Sequence, residues 1–225
     1  MSTRDDFLDA AMNHALFDGW SQAAIDAVRA DLGLTAADAR HLFPDGAPGL
    51  ALAYHRRLDG QMVEALRAAG LGEMRFRDRI IHAVRLRLEL ADKELVRRGM
   101  SLFALPQHAA TGARALWQTA DEIWTVLGDT SRDINWYTKR STLSAVYSAT
   151  ALYWLGDESA DNARTWAFLD RRIENVMQFE KMKAQAKQNP LVDAFMKGPG
   201  KVLDMVRAPG ETRPGYPGST GGRNR

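Results

Sequence analysis

The sequence predicts an all-α protein of about ten helices, and three observations support this fold class. Apolar residues recur at helical spacing along most of the 225 residues, beginning with the set Phe7, Leu8, Ala11, Ala15 and Leu16. Serine, threonine or aspartate precedes many of these segments and glycine follows them, a pattern typical of helix caps. The alternating segments and short glycine-containing turns that indicate β-hairpins are absent from the sequence.

The caps and breaks predict each helix in turn. The first helix is stopped by Gly19, and the second begins after Ser21 and ends at Gly33. Thr35 starts a short third helix that reaches Leu42 and is broken by the turn at 44–46. Further helices are predicted over about 49–69, over about 73–90 and on to about 104, and over about 108–127, 130–155 and 161–186, before Pro190 opens a separate segment.

An arginine-rich stretch covers the predicted fifth and sixth helices at residues 75–98. Acidic side chains are interspersed among the basic ones. This mixture predicts a helical face joined by ion pairs, which is favoured over a site for an anionic ligand.

The composition excludes several classes of functional site. The chain has no cysteine, so disulfides, thiolate metal sites and cysteine nucleophiles are excluded. The five histidines do not have metal-ligand spacing, and no phosphate-binding loop, dinucleotide-binding or serine-nucleophile motif is present. No run of 18 apolar residues predicts a membrane span. We therefore expect no enzymatic activity, no cofactor and no metal site.

The first three predicted helices resemble the DNA-binding end of TetR-type regulators. Residues 1–50 carry three basic side chains against eight aspartates, a net charge of −5. Affinity for DNA depends largely on neutralising phosphates with lysine and arginine, so we expect no binding to nucleic acid. A TetR-type transcriptional regulator that binds DNA and a hydrophobic effector is the alternative hypothesis.

The second half of the chain is rich in aromatic residues. Trp136, Leu143, Tyr147 and Trp154 share one stripe of a predicted helix, and packing into a core explains Tyr147 and Trp154. Trp136 and Tyr137 are adjacent and point about 100° apart, so one core does not easily accommodate both. Physical reasoning leaves core packing and the mouth of a ligand pocket equally open for this pair.

Several segments together resemble one family. They are DINWYTKRSTLSAVYSAT at 133–150, ADEIWTVLGD at 120–129, ARTWAFLDRRIENVMQ at 163–178 and SLFALPQ at 101–107, with HALFDGWSQAAI and GLTAADARHLF nearer the amino terminus. The family is that of the lipid-binding accessory proteins of ubiquinone (coenzyme Q) biosynthesis, which have a TetR-like fold. The resemblance runs from about residue 7 to residue 183.

The resemblance implies a function. The family has no known catalytic activity, forms homodimers, and binds isoprenoid quinone intermediates or phospholipid in a cavity of the helical bundle. It is thought to present the quinone to the demethoxyubiquinone hydroxylase. The implied lipid-binding residues are Arg140, which falls at the family's headgroup arginine, with Trp136, Tyr137, Leu143 and Tyr147. The implied partner-binding residues are Trp136, Tyr137, Trp124, Leu105 and Pro106.

The carboxy-terminal segment has the composition of an interfacial helix. Its apolar residues, flanked by Lys197, Lys201 and Arg207, predict contact with a membrane surface; they are Leu191, Val192, Phe195, Met196, Val202, Leu203, Met205 and Val206. The Gly198–Gly200 stretch, which contains Pro199, is expected to kink or break the single helix that the family has.

The predicted organisation has four parts. A vestigial helix-turn-helix-like subdomain covers 1–48, and a lipid-binding and dimerisation bundle covers 49–187. An amphipathic membrane segment covers 188–207, and a disordered tail covers 208–225. The amino terminus has early acids and no apolar core of a signal peptide. We expect a bacterial protein that is cytoplasmic and peripherally bound to the inner membrane, whereas the eukaryotic counterparts lie on the matrix side in mitochondria.

Overall fold

The computed structural model describes residues 3–187, apart from the side chains of residues 180, 181 and 183–187. All regular secondary structure in this part is helical, so the predicted all-α class is confirmed. The helices are α1 (Arg4–Asp18), α2 (Gln22–Leu32), α3 (Ala36–Leu42), α4 (Gly46–Ala68), α5 (Phe76–Glu89), α6 (Lys93–Phe103), α7 (Pro106–Val126), α8 (Ile134–Leu155) and α9 (Ala163–Lys187), with 3-10 turns at Leu71–Glu73 and Ala160–Asn162. The predicted amphipathic segment with its eight membrane residues, Leu191 to Val206, and the predicted tail lie outside the described residues.

Local capping sets the first helix boundaries. The Thr3 hydroxyl accepts a hydrogen bond from the Asp6 amide and the Asp6 carboxylate accepts one from the Thr3 amide, so α1 begins earlier than its apolar pattern suggested. The Ser21 hydroxyl accepts from the Ala24 amide at the start of α2. Gly33 ends α2 in the left-handed conformation, with φ of +64°.

The start of α8 lies about four residues later than predicted. Asp133 is its N-cap, because the carboxylate accepts a hydrogen bond from the Asn135 amide. Upstream, the Asp129 carboxylate accepts hydrogen bonds from the Ser131 amide and hydroxyl, which fixes a turn instead of a helical start.

The buried apolar residues form two clusters that α4 connects. The first is contributed by α1, α2, α3, the first half of α4 and Leu95 of α6. The second is contributed by the remainder of α4 and by α5, α7, α8 and α9. Leu50 and Leu58 therefore pack in one cluster while Met62 and Leu66, on the same helix, pack in the other.

Much of the arginine-rich stretch forms the predicted ion-paired face. Arg75 pairs with Asp78 and Arg85 with Glu89, each at 2.7 Å. Arg87 lies on the same helix but points into the protein, where it is almost fully buried.

Candidate functional site

A partly open cavity of about 340 Å³ lies where the two apolar clusters meet, and residues of α4, α6, α7 and α8 form most of its wall. Its wall is mostly apolar and includes Leu58, Val96, Met100, Phe103, Leu116 and Ala151. Gly112 of α7 lets the helices approach closely, since a Cβ atom there would lie 2.7 Å from the Cβ of Phe103. An apolar cavity with a few polar groups is the usual form of a site for a small organic ligand.

One end of this central cavity is polar. His55 and Arg87 contribute to the lining, and the Arg87 Nε donates to Asp59 Oδ1 at 2.7 Å. The Arg87 Nη2 also donates to the backbone oxygen of His55 at 3.1 Å. The Thr119 hydroxyl lies 3.0 Å from Asp59 Oδ1 and 2.8 Å from His55 Nε2. These contacts tie α4, α5 and α7 together through buried polar side chains.

The hydrogen bonds determine the tautomer of His55. Its Nδ1 lies 3.3 Å from Arg87 Nη2, which can only donate, so Nδ1 accepts. Nε2 therefore carries the hydrogen and donates to Thr119 Oγ1, whose own hydroxyl donates to Asp59. Burial lowers the pKa of His55 to about 4, so the ring is neutral at pH 7. The Arg87 charge is then balanced by Asp59 alone.

A second cavity of about 270 Å³ lies between α5, α8 and α9. Ile80, Val146 and Met177 line it together with Leu143, and Lys139 of α8 also contributes to the wall. The predicted lipid-binding residues are therefore divided. Tyr147 lines the central cavity, Leu143 lines the second cavity, and Trp136, Tyr137 and Arg140 line neither.

Arg140 is a buried ion-pairing residue that is only 3% exposed. Its Nε lies 2.5 Å from Asp121 Oδ1 and its Nη1 lies 3.0 Å from Asp129 Oδ2. Burial acts to raise the pKa of Asp129, but hydrogen bonds from Lys139, Ser131 and Arg140 outweigh it and lower the pKa to about 2. These contacts join α7 to α8. The implied headgroup role of Arg140 stays a prediction, and its observed contacts are with protein carboxylates.

Three aromatic rings form a partly exposed cluster, the aromatic surface, made of Trp117, Trp136 and Tyr137. Trp136 and Tyr137 meet edge to face with centroids 4.8 Å apart, and the Trp117 ring lies 5.8 Å from Trp136 and 6.2 Å from Tyr137. The Arg140 guanidinium lies 4.0 Å from the centroid of the Trp136 ring. Trp117 was not predicted, although its spacing of seven from Trp124 places both rings on one side of α7.

The other predicted partner-binding residues lie apart from this aromatic surface. Trp124 is 8% exposed, packs against Phe76 and donates from Nε1 to the Lys139 backbone oxygen. Leu105 and Pro106 are exposed at the start of α7. Pro106 precedes Trp117 by eleven positions on α7, or about 16 Å along the helix axis.

Within residues 3–187, no helix is both long enough and apolar enough to cross a bilayer. In the same described part, histidine, aspartate and glutamate side chains form no group of three or more that could hold a metal ion.

Comparisons with known proteins agree on one family. The COQ9 family model matches residues 109–180, which cover most of α7, all of α8 and most of α9. The mitochondrial ubiquinone biosynthesis protein COQ9 of Drosophila melanogaster is 34% identical over 188 residues, covering 81% of this chain and 57% of that protein. The human protein of the same name is 32% identical over 189 residues, covering 80% and 59%. The chain thus spans less than two thirds of the length of these relatives.

The fold also matches a solved structure. A TetR transcriptional regulator from Nitrosomonas europaea superimposes with a TM-score of 0.63 at 21% identity, over 76% of this chain and 95% of the regulator. At this identity the match establishes the TetR-like fold alone. The sequence similarity to the curated COQ9 proteins shows that the chain belongs to the COQ9 family.

Proposed function

We propose that this chain is a non-enzymatic accessory protein of ubiquinone biosynthesis that binds an isoprenoid quinone intermediate and presents it to the demethoxyubiquinone hydroxylase. The names of the relatives support the pathway. The observation that carries the proposal is the apolar central cavity of about 340 Å³ in the helical bundle. Burying each methylene of an isoprenoid there contributes about 0.8 kcal/mol.

The cavity volume limits how the ligand is bound. Ligand sites typically enclose about 300–1,000 Å³, so a cavity of about 340 Å³ is small for a whole polyprenyl quinone. We propose that the cavity binds the quinone ring and the first part of the isoprenoid tail. A phospholipid is the other ligand that the family resemblance implies.

A cavity-filling substitution tests ligand binding. Ala113 and Ala110 are both exposed alanines of α7, but only Ala113 lines the central cavity. Ala113→Trp should remove the lipid that co-purifies with the protein, and Ala110→Trp should retain it, as measured by solvent extraction and mass spectrometry. Equal lipid content in the two variants would exclude this cavity as the site.

We further propose that the aromatic surface docks the hydroxylase. Two of its three rings are implied partner residues, and the guanidinium of Arg140, which Asp121 and Asp129 hold in place, packs against the Trp136 ring. Trp136→Ala should abolish ubiquinone production in cells that depend on this protein while leaving the co-purified lipid unchanged. Phe17→Ala, which removes an exposed aromatic ring of α1, is the matched control. In the same cells it should support ubiquinone production as well as wild type does. Loss of lipid from Trp136→Ala would assign this residue to ligand binding instead.

The homodimer is proposed to form through α8 and α9. Leu152 is exposed on α8, and beside it Tyr153 stacks on Phe168 of α9 with ring centroids 4.6 Å apart. A second copy packing on these apolar side chains would bury them. Leu152→Glu should shift the sedimentation coefficient to that of a monomer, whereas an unchanged dimer would place the interface elsewhere.

The membrane role is proposed for residues 188–207, with peripheral attachment to the inner membrane. Deletion of residues 190–225 should weaken flotation with anionic liposomes, because the basic and apolar side chains of this segment are removed. Flotation equal to that of the full chain would assign membrane binding to another part.

The alternative, a DNA-binding regulator, is disfavoured by the charges of the first helices. Arg29 pairs with Asp26 at 2.7 Å, and Arg4 lies over the ring of Phe43. We expect no retardation of the upstream DNA of this gene in a gel-shift assay. Specific, salt-sensitive retardation would instead favour the regulator.

A further inference from the structure

Two hydroxyl groups on the wall of the central cavity have no hydrogen-bond partner among residues 3–187. They belong to Tyr147 and Ser148, which are adjacent on α8 and both line the cavity. In this part of the chain, the side-chain nitrogen or oxygen atoms that are fully enclosed and form no hydrogen bond belong to Arg29, Arg77, Arg87 and Arg98. The two hydroxyl oxygens are not among them, so each borders open space, and for Tyr147, which is almost fully buried, that space is the cavity.

The charged groups at the same end of the cavity are already balanced. The Arg87 Nε and Nη2 donate to Asp59 and to His55, and its remaining Nη1 is enclosed by protein. His55 is occupied on both ring nitrogens, by Arg87 and by Thr119. An anionic headgroup would find no uncompensated positive charge here, and a buried unpaired charge is strongly disfavoured.

A neutral acceptor fits the two free hydroxyls. Burial raises the pKa of Tyr147, so its hydroxyl keeps its hydrogen at neutral pH and can donate. A carbonyl or ether oxygen accepts such a hydrogen bond without bringing a charge into the cavity. The rest of the wall, which includes Leu58, Met100 and Phe103, suits the apolar remainder of an amphiphile.

We infer that the central cavity selects an uncharged headgroup bearing carbonyl or ether oxygens, and that the Tyr147 hydroxyl, with Ser148 beside it, is the donor that binds the headgroup. The inference rests on the proposed function and specifies its ligand. A quinone has this chemistry, and so does a neutral glyceride ester. Fatty acid anions and phospholipids with a net negative charge do not fit, because each brings an uncompensated negative charge.

The test removes the hydroxyl and retains the ring. Tyr147→Phe keeps the aromatic packing beside Arg87, and Tyr153→Phe is a matched control on the same helix outside the cavity. Calorimetric titration of the full chain measures the binding of four ligands. They are a ubiquinone analogue with a ten-carbon tail, didecanoylglycerol, decanoate, and decane, which has no headgroup. Loss of one neutral hydrogen bond should lower the affinity of Tyr147→Phe for the quinone analogue about 3- to 10-fold. The affinity of Tyr153→Phe for the same analogue should equal that of wild type. Ser148→Ala should produce a smaller loss in the same direction.

The four probes separate the possible outcomes. Wild-type protein should bind the quinone analogue at least tenfold more tightly than decanoate, and decane should bind wild type and Tyr147→Phe equally. Binding of didecanoylglycerol as tight as that of the quinone would support the headgroup chemistry with a glyceride as its source. Equal binding of the quinone to wild type and Tyr147→Phe, or tighter binding of decanoate, would overturn the inference while leaving cavity binding intact. Failure of the quinone and of decane to bind wild type would overturn both proposals.

Discussion

Two arginines of α5 form ion pairs at the same distance from a carboxylate, one buried and one exposed. The Arg87 Nε lies 2.7 Å from Asp59, with side chains 1% and 6% exposed. The Arg85 Nε lies 2.7 Å from Glu89, with side chains 46% and 44% exposed. Asp59→Asn and Glu89→Gln remove one negative charge each with almost no change in shape, so the pair of variants isolates the effect of burial.

The expected magnitudes differ widely. Two unit charges 2.7 Å apart attract by about 1.5 kcal/mol in water and by about 6 kcal/mol at an effective dielectric constant of about 20. Desolvation offsets much of the buried attraction, but removing Asp59 leaves the Arg87 charge uncompensated in the interior. We therefore expect Asp59→Asn to lower the free energy of unfolding by about 3–5 kcal/mol. Glu89→Gln should lower it by about 0.3–0.5 kcal/mol, as for exposed helical pairs.

Urea unfolding at pH 7.5, followed by tryptophan fluorescence and circular dichroism, measures both free energies. Because domains are stable by about 5–15 kcal/mol, the Asp59→Asn loss should be evident as a large fall in the midpoint. Adding Arg87→Met to Asp59→Asn removes the orphaned charge and should recover part of the loss. Equal losses for Asp59→Asn and Glu89→Gln, or no recovery in the double variant, would refute the argument from burial.

Two further predictions concern pH and packing. Because His55 has a pKa of about 4 in the fold and about 6.5 when unfolded, its contribution is complete above pH 6.5 and is lost as the pH falls towards 4. Wild type should therefore lose about 3 kcal/mol more than His55→Gln over this window in urea unfolding, and parallel pH profiles would contradict the prediction. Gly112→Ala should destabilise by about 1–3 kcal/mol, because its Cβ would lie 2.7 Å from the Phe103 Cβ. Gly60 lies in the middle of α4, where an added Cβ would meet no other atom within 4 Å. Gly60→Ala should therefore raise the free energy of unfolding by about 0.5–1 kcal/mol in the same assay. Similar changes in the free energy of unfolding for both variants would disprove the steric explanation.

Most helix boundaries depend on neighbours in the chain, and the sequence predicts these well. Ser21, Gly33 and Thr35 act through groups within a few residues, and each caps a helix where its residue type predicts a cap. Periodicity likewise placed Tyr147 and Trp154 in the interior, as observed. The start of α8 was misplaced because Asp129 forms a turn with Ser131 that competes with a helical cap.

The sequence by itself determined the helical class, the order of the helices and, through its similarity to relatives, the family. The tertiary structure decided which polar side chains meet. Asp59 and Arg87 are 28 residues apart and Thr119 is 60 residues from Asp59, so their hydrogen bonds exist only once α4, α5 and α7 have packed. The same packing brings Arg140 into contact with Asp121 and Asp129. Helical periodicity specifies the face on which a residue lies, whereas the partner on that face depends on the packing of helices distant in the chain.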